Sequence, residues 1–167
     1  SGDWMLVGAP YASDPAPNSG AVYLYHREGN GQWTLSRKIT NGDVPDRYAG
    51  WSVAITSTQA LFTRQGACVG RWSLSSGQWT DSGCYLVPQG GSIIARYVGA
   101  TERNVWWNDG TFTQMFDRDF NGVQNITGGF GYCVAMGEDL AIFGGPSSYV
   151  WDPEGRQVNG AGGACGS

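Results

Sequence analysis

The residues best placed to do chemistry lie in "DRDFNGVQN", Asp117 to Asn125. Their order is Asp-x-Asp-x-Asn-Gly-x-x-Asn. It is close to the loop in which carboxylates at alternate positions and a glycine-enabled turn surround a hard cation. The candidate Ca²⁺ ligands are Asp117, Asp119, Asn121, the Val123 carbonyl and Asn125. Two features favour the alternative, a plain solvated Asn-Gly turn. The last position is an amide, which leaves the loop short of negative charge. Asn125 also begins Asn125-Ile126-Thr127, the single N-x-S/T glycosylation acceptor of the chain. A glycosylated Asn125 could not act as a simple ligand. The expected cofactor is therefore none, with Ca²⁺ as the alternative.

Other chemistry is poorly supplied. Nucleophilic catalysis of the Ser/His/Asp or Cys/His kind would have to use His26, the one histidine. Asp43, Asp46, Asp117 and Asp119 offer carboxylates, but no spacing pairs them for glycoside hydrolysis. The Gly-rich "GAGGACG" near the C-terminus lacks the lysine and the strand-to-helix context of a phosphate loop. The expectation is a non-enzyme.

The four cysteines are Cys68, Cys84, Cys133 and Cys165, and none forms a C-x-x-C pair. Cys68 and Cys84 are spaced symmetrically about Ser76 in "SSGQW". In a hairpin centred there they would face each other directly, at the spacing of a cross-strand disulfide. The even count and the glycosylation acceptor point to a secreted or cell-surface protein. Four reduced core cysteines are the alternative.

These residues need elements to carry them, and the composition specifies which kind. The 167 residues include 27 Gly, 8 Trp and 8 Tyr but one lysine, Lys38. Abundant aromatic and β-branched residues without a long amphipathic helical pattern indicate an all-β chain of short strands. The length suits one domain with a sizeable core. The net charge is -4 and the arginines are scattered. No basic stripe suits a phosphate backbone, so nucleic acid is not an expected partner. No apolar run approaches the ~20 residues of a transmembrane helix, and membrane insertion is not expected. The opening "SGDWMLVGAP", without an initiator Met, reads as a processed or excised piece.

Internal repeats organise the chain. A Gly-x-x-Val-Ala type of strand recurs in "AGWSVAI" (49–55), "GGSIIAR" (90–96) and "FGYCVAM" (130–136). "LVGAP" (6–10) is echoed by "IFGGP" (142–146). A turn recurs as "NGQWT", "SGQWT", "NGVQN" and "EGRQV", with glycines at Gly31, Gly77, Gly122 and Gly155. Each unit thus reads as four strands: A (Gly-x-x-Val-Ala), B (Val-Gly-Ala-Pro), C (as in "AVYLY") and D (beginning "QWT"). An Asn-Gly or Ser-Gly hairpin turn joins C to D.

"GDWMLVGAP…GAVYLYHREGNGQWT" and "FGYCVAMGEDLAIFGGP" resemble FG-GAP repeats, the blades of integrin α-subunit β-propellers and related surface proteins. The resemblance covers Gly2–Ile55 and Phe130–Pro146; the units between are inferred from spacing. It implies an all-β fold, a small β-propeller of four blades of four antiparallel strands. The expected domain is 1–167, with blade 1 at about 1–48, blade 2 at 49–88, blade 3 at 89–128 and blade 4 at 129–157. Blade 1 lacks strand A, and Val158–Ser167 is expected to supply it and close the ring, as propellers do to avoid an open sheet edge. A mobile tail and a strand donated by a neighbouring copy are the alternatives. Closure would bring Cys133 and Cys165 onto adjacent strands and permit a second disulfide. In integrin-type blades the Ca²⁺ loop joins strands A and B. Here "DRDFNGVQN" falls between C and D, and the A–B turn Gly137-Glu138-Asp139 is too short for an ion.

The resemblance also implies ligand binding on the face where the B–C and D–A loops emerge. The longest of these are Tyr11–Ser19 and Asn41–Tyr48, carrying Tyr11, Asp14, Asp43, Asp46, Arg47 and Tyr48. Loops on a rigid scaffold favour binding, and plain solvated turns are the alternative. Trp33, Trp79, Trp106, Trp107 and Trp151 either pack blade on blade or serve as sugar-stacking platforms. The expected function is an extracellular, non-catalytic recognition or adhesion module for a protein or glycan ligand. A lectin is one rival. The other is a structural tile of a fibre or coat, self-assembled by strand exchange.

Overall fold

A computed structural model describes residues 1–40, 44–64, 68–86, 97–108, 113–122, 124–126, 133–136, 141–144, 148–151 and 157–161. Among these there are fifteen strands, in four antiparallel sheets, and no helix. The first sheet holds β1 (Trp4–Ala9), β2 (Ala21–Arg27) and β3 (Trp33–Thr40) in chain order. The second holds β4 (Val53–Ile55), β5 (Gln59–Arg64), β6 (Cys68–Ser75) and β7 (Gln78–Leu86). The third holds β8 (Tyr97–Ala100), β9 (Asn104–Asn108), β10 (Thr113–Asp117) and β11 (Gln124–Ile126). The fourth holds β12 (Cys133–Met136), β13 (Ala141–Gly144), β14 (Ser148–Trp151) and β15 (Gln157–Ala161). Every sheet is an up-and-down meander in which strands successive in the chain are neighbours.

The chain divides into two compact units, Ser1–Ala95 and Arg96–Ser167. In the first unit the core lies between its two sheets. Leu6, Val22, Leu24 and Ile39 meet Ala60, Phe62, Trp72 and Trp79. The inner strand β5 is buried along most of its length, while β3 is exposed at nearly every position. A strand covered on both faces reads as a continuous apolar run rather than an alternation. This accounts for the unbroken apolar "ALF" within β5. Glycine is needed at one seam. A Cβ on Gly8 would overlap the Gly50 carbonyl, so β1 approaches the chain entering β4 backbone to backbone. In the second unit Val105, Trp106, Trp107 and Phe116 are buried.

Three expectations need correction. Cys68 and Cys84 do form a disulfide, with Cα atoms 5.8 Å apart, but they are not directly opposite. The ladder pairs Gly70 with Cys84 and Cys68 with Leu86, because a bulge between Gly70 and Trp72 shifts the register. The bridge therefore runs diagonally, an arrangement that symmetry about the turn could not reveal. The strand that pairs with β9 is Tyr97–Ala100, later than "GGSIIAR", which lies outside the described residues. Finally, Val158–Ala161 is not a strand added to the first sheet. It belongs to β15, which pairs with β14 in the fourth sheet. A hairpin partner a few residues away closes at far less entropic cost than one at the far end of the chain. Residues 162–167, and with them Cys165 and any Cys133–Cys165 bridge, lie outside the described residues.

Candidate functional site

The connection from β1 to β2 and the chain leading from β3 into β4 run side by side. Asp46 N–H donates to the Pro17 carbonyl (2.9 Å), Tyr48 N–H to Asn18 (3.0 Å) and Ala49 N–H to Ser19 (3.1 Å). Gly20 and Ala49 form a parallel bridge. A Cβ on Gly20 would collide with the Ala49 backbone, so the contact exists only because residue 20 has no side chain. The first loop is also braced from within. Ala12 accepts from Gly20 N–H (2.9 Å), Ala16 accepts from Ser19 N–H (3.1 Å), and the Ser13 hydroxyl accepts from Asn18 N–H (3.2 Å). Ala16 is buried beneath it.

Side chains gather over this ladder. Tyr11, 64% exposed, meets the Tyr48 ring at 5.7 Å and 78°, and the Trp51 ring at 6.0 Å and 66°. Both are edge-to-face geometries of the favoured kind. Trp51 is itself 50% exposed. Beside the rings, Asp46 Oδ1 accepts hydrogen bonds from Asn18 Nδ2 (3.0 Å) and the Tyr48 hydroxyl (3.4 Å). Partial desolvation, then the Asp46 charge, raises the Tyr48 phenol above its ordinary value, so it stays a neutral donor. Three non-glycine residues of this cluster have positive φ: Asn18 at 47°, Asp46 at 53° and Tyr48 at 45°. Asn and Asp tolerate that region, but a tyrosine there is strained. Surrounding hydrogen bonds hold each of them in place.

Asp14 and Lys38 sit on the same end of the first sheet. Lys38 Nζ donates to Asp14 Oδ2 (2.6 Å), which raises the lysine above its ordinary value, and lies 5.8 Å from the Tyr23 ring. The pair is solvent-exposed and contributes little to stability. Arg47 is half-buried. Of the six loop residues expected from sequence, Asp46 and Tyr48 meet directly and Tyr11 joins them. Asp14 is turned toward Lys38, and Asp43 lies outside the described residues. Trp51 and Asn18 were missed. Trp51 falls within the strand motif of the sequence, and the positive φ of Gly50 (83°) that sets it outside β4 is visible only in the structure. Asn18 looked like an ordinary turn former.

The Asp117 loop is built differently. It joins β10 to β11, and Asp117 Oδ1 accepts from the backbone N–H of Asp119 (2.9 Å) and Asn121 (2.8 Å). Asp117 N–H in turn donates to the Asn121 carbonyl (3.1 Å). This is an Asx-type turn in which the carboxylate satisfies its own backbone. Phe120 is buried at φ 64° against Phe116. Val123 and the side chain of Asn125 fall outside the described residues. Among the described residues no group of three or more His, Cys, Asp or Glu side chains could hold a metal ion.

The tryptophans divide between packing and exposure. Trp79, Trp106 and Trp107 are buried, whereas Trp33 is 42% exposed on β3. The side chain of Trp151 is outside the description. His26 packs on Trp4, with ring centroids 4.5 Å apart, and its Nδ1 lies 3.3 Å from Glu28 Oε1. Glu28 also accepts from the Thr34 hydroxyl (2.7 Å).

A family model for the FG-GAP repeat matches residues 1–25, which span β1, the first loop and most of β2. No curated protein matches the chain.

Proposed function

We propose that the chain is a non-catalytic recognition module of the secreted or cell-surface kind, which binds a protein or glycan through the paired loops at 11–19 and 44–51. The observation that carries this reading is the exposed Tyr11–Tyr48–Trp51 cluster, held on strained but fully braced backbone. Folding gains little from leaving two large rings in water, and strained residues concentrate where a structure is shaped for a ligand. The FG-GAP match over this same loop supports a recognition role. The Cys68–Cys84 disulfide supports an oxidising compartment. The non-catalytic part rests on chemistry: the one histidine is engaged with Trp4 and Glu28, away from these loops. The architecture that accompanies this reading is a four-bladed propeller, supported by the recurrence of the same meander in each sheet.

The test is retention of purified protein on extracellular matrix and on intact cell surfaces. Tyr11→Ala combined with Trp51→Ala should lower retention at least about tenfold, some 1.4 kcal/mol, with an unchanged melting temperature. Equal retention of variant and wild type would move the binding site elsewhere.

A further inference from the structure

We infer that the ligand seated on these loops is a neutral, polyhydroxylated ring, the terminal pyranose of a glycan, with Asp46 accepting its hydroxyls and Tyr11 and Trp51 covering its C–H face. The inference deepens the recognition reading and rests on it. Asp46 Oδ1 is fixed by Asn18 and Tyr48, which orients the carboxylate without using its second oxygen. The hydrogen bonds from Asn18 and Tyr48 both fall on Oδ1, and Asp46 is exposed. A pre-oriented acceptor of this kind suits adjacent O–H donors, since charge-assisted hydrogen bonds are roughly twice as strong as neutral ones.

The aromatic side supplies the complementary half. From Asp46 the cluster continues through Tyr48 to Tyr11 and then to Trp51. A ligand that meets all of it must present hydrogen-bond donors at one end and an apolar face along the rest. Sites of this composition, apolar rings with a few placed polar groups, set orientation through the polar groups and affinity through the rings. A pyranose has both kinds of surface.

Charge decides against a cationic ligand. By sequence the two loops and β3 carry Asp14, Asp43 and Asp46 against Arg37, Lys38 and Arg47, so their formal charges balance. Asp14 is already neutralised by Lys38 at 2.6 Å. A basic peptide would gain no net local field, whereas a neutral ligand loses nothing by its absence. The same balance disfavours sialylated or sulfated sugars.

The test uses the full chain, biotinylated and multimerised on streptavidin, because a single sugar on so open a surface should bind with a Kd on the order of 1 mM. It is applied to an array of neutral and sialylated glycans and to a library of basic peptides. Binding should be confined to glycans with neutral terminal pyranoses. Trp51→Ala and Asp46→Asn should each weaken it about tenfold, with unchanged melting temperatures. Asn tolerates the positive φ of residue 46, so the second variant tests the charge and not the fold. Binding to peptides instead, lost in Trp51→Ala, would overturn the sugar assignment and leave the recognition site standing. Sugar binding untouched by both variants would overturn it too, by placing the sugar elsewhere. No difference between wild type and Trp51→Ala on any surface would sink the inference and the site together.

Discussion

The paired loops at 11–19 and 44–51 and the turn at 117–122 draw on the same residue types and use them in opposite ways. Each has an aspartate and an asparagine, and each has an aromatic residue at positive φ, Tyr48 in the loops and Phe120 in the turn. In the turn, Asp117 folds onto N–H groups two and four residues ahead, and Phe120 is buried. The polar and apolar groups are used to hold the turn itself. In the loop pair, Asp46 is steadied by Asn18, 28 residues away, through one oxygen, and the rings remain in solvent. Short-range contacts satisfy a loop; long-range contacts orient a side chain and leave capacity over. The difference between the turn and the candidate site is therefore one of sequence separation, not of composition.

The sharpest way to break this comparison is to add one methyl group to each region. Gly20 and Gly122 both have positive φ, 78° and 63°, but a Cβ on Gly20 meets the Ala49 backbone while one on Gly122 meets nothing within 4 Å. Gly20→Ala should cost about 3–5 kcal/mol and separate the loops, through strain and collision together. Gly122→Ala should cost only about 1 kcal/mol. Urea denaturation of both variants checks the contrast, and equal costs would show that the loops are not held by this seam.

A smaller effect is expected within the turn. Asp117→Ala removes the acceptor of two backbone N–H groups and should destabilise by about 1 kcal/mol, as loss of a cap does. Glycan or matrix binding should not change, and millimolar Ca²⁺ should leave the melting temperature of wild type and variant alike. A tight Ca²⁺ site at 1,000-fold saturation would add about 4 kcal/mol, so a metal-dependent rise lost in Asp117→Ala would reassign the turn as a cation site.

The smallest effect lies at the other end of the first sheet. The Thr34 hydroxyl, and then His26, hold the Glu28 carboxyl below its ordinary value of 4.5. A depressed folded-state value means that the contribution is present above 4.5 and is lost as pH falls through the folded value. Glu28→Gln should therefore flatten the acid limb of the stability profile below about pH 4.5 without altering binding. Melting curves between pH 3 and 7 read this out; an unchanged acid limb would show that solvent screens the interaction completely.

The comparison also explains what was legible in the sequence. Strands and turns were, because their signals are local. The last strands of the sheets begin at Trp33, Gln78, Gln124 and Gln157, just after the recurring turn. The Asp117 turn was readable as a turn for the same reason. The Cys68–Cys84 bridge was readable, but its diagonal geometry was not, because the bulge beside Arg71 has no residue signature of its own. Two of the five residues of the loop cluster, Asn18 and Trp51, were missed on the same grounds. Nothing near Asn18 announces a partner at Asp46. Trp51 looked like strand, since its exposure follows from how Gly8 and Gly50 pack and not from its neighbours in sequence.

The Gly20–Ala49 bridge has a consequence for how such a chain can change over time. The first loop lies within one repeat and its partner in the passage to the next, so the proposed recognition surface belongs to the seam and not to the repeat. A single duplicated or excised repeat would carry a complete meander and only half of the proposed binding surface. On the proposed reading, new specificity would have to arise by paired change on both sides of one junction.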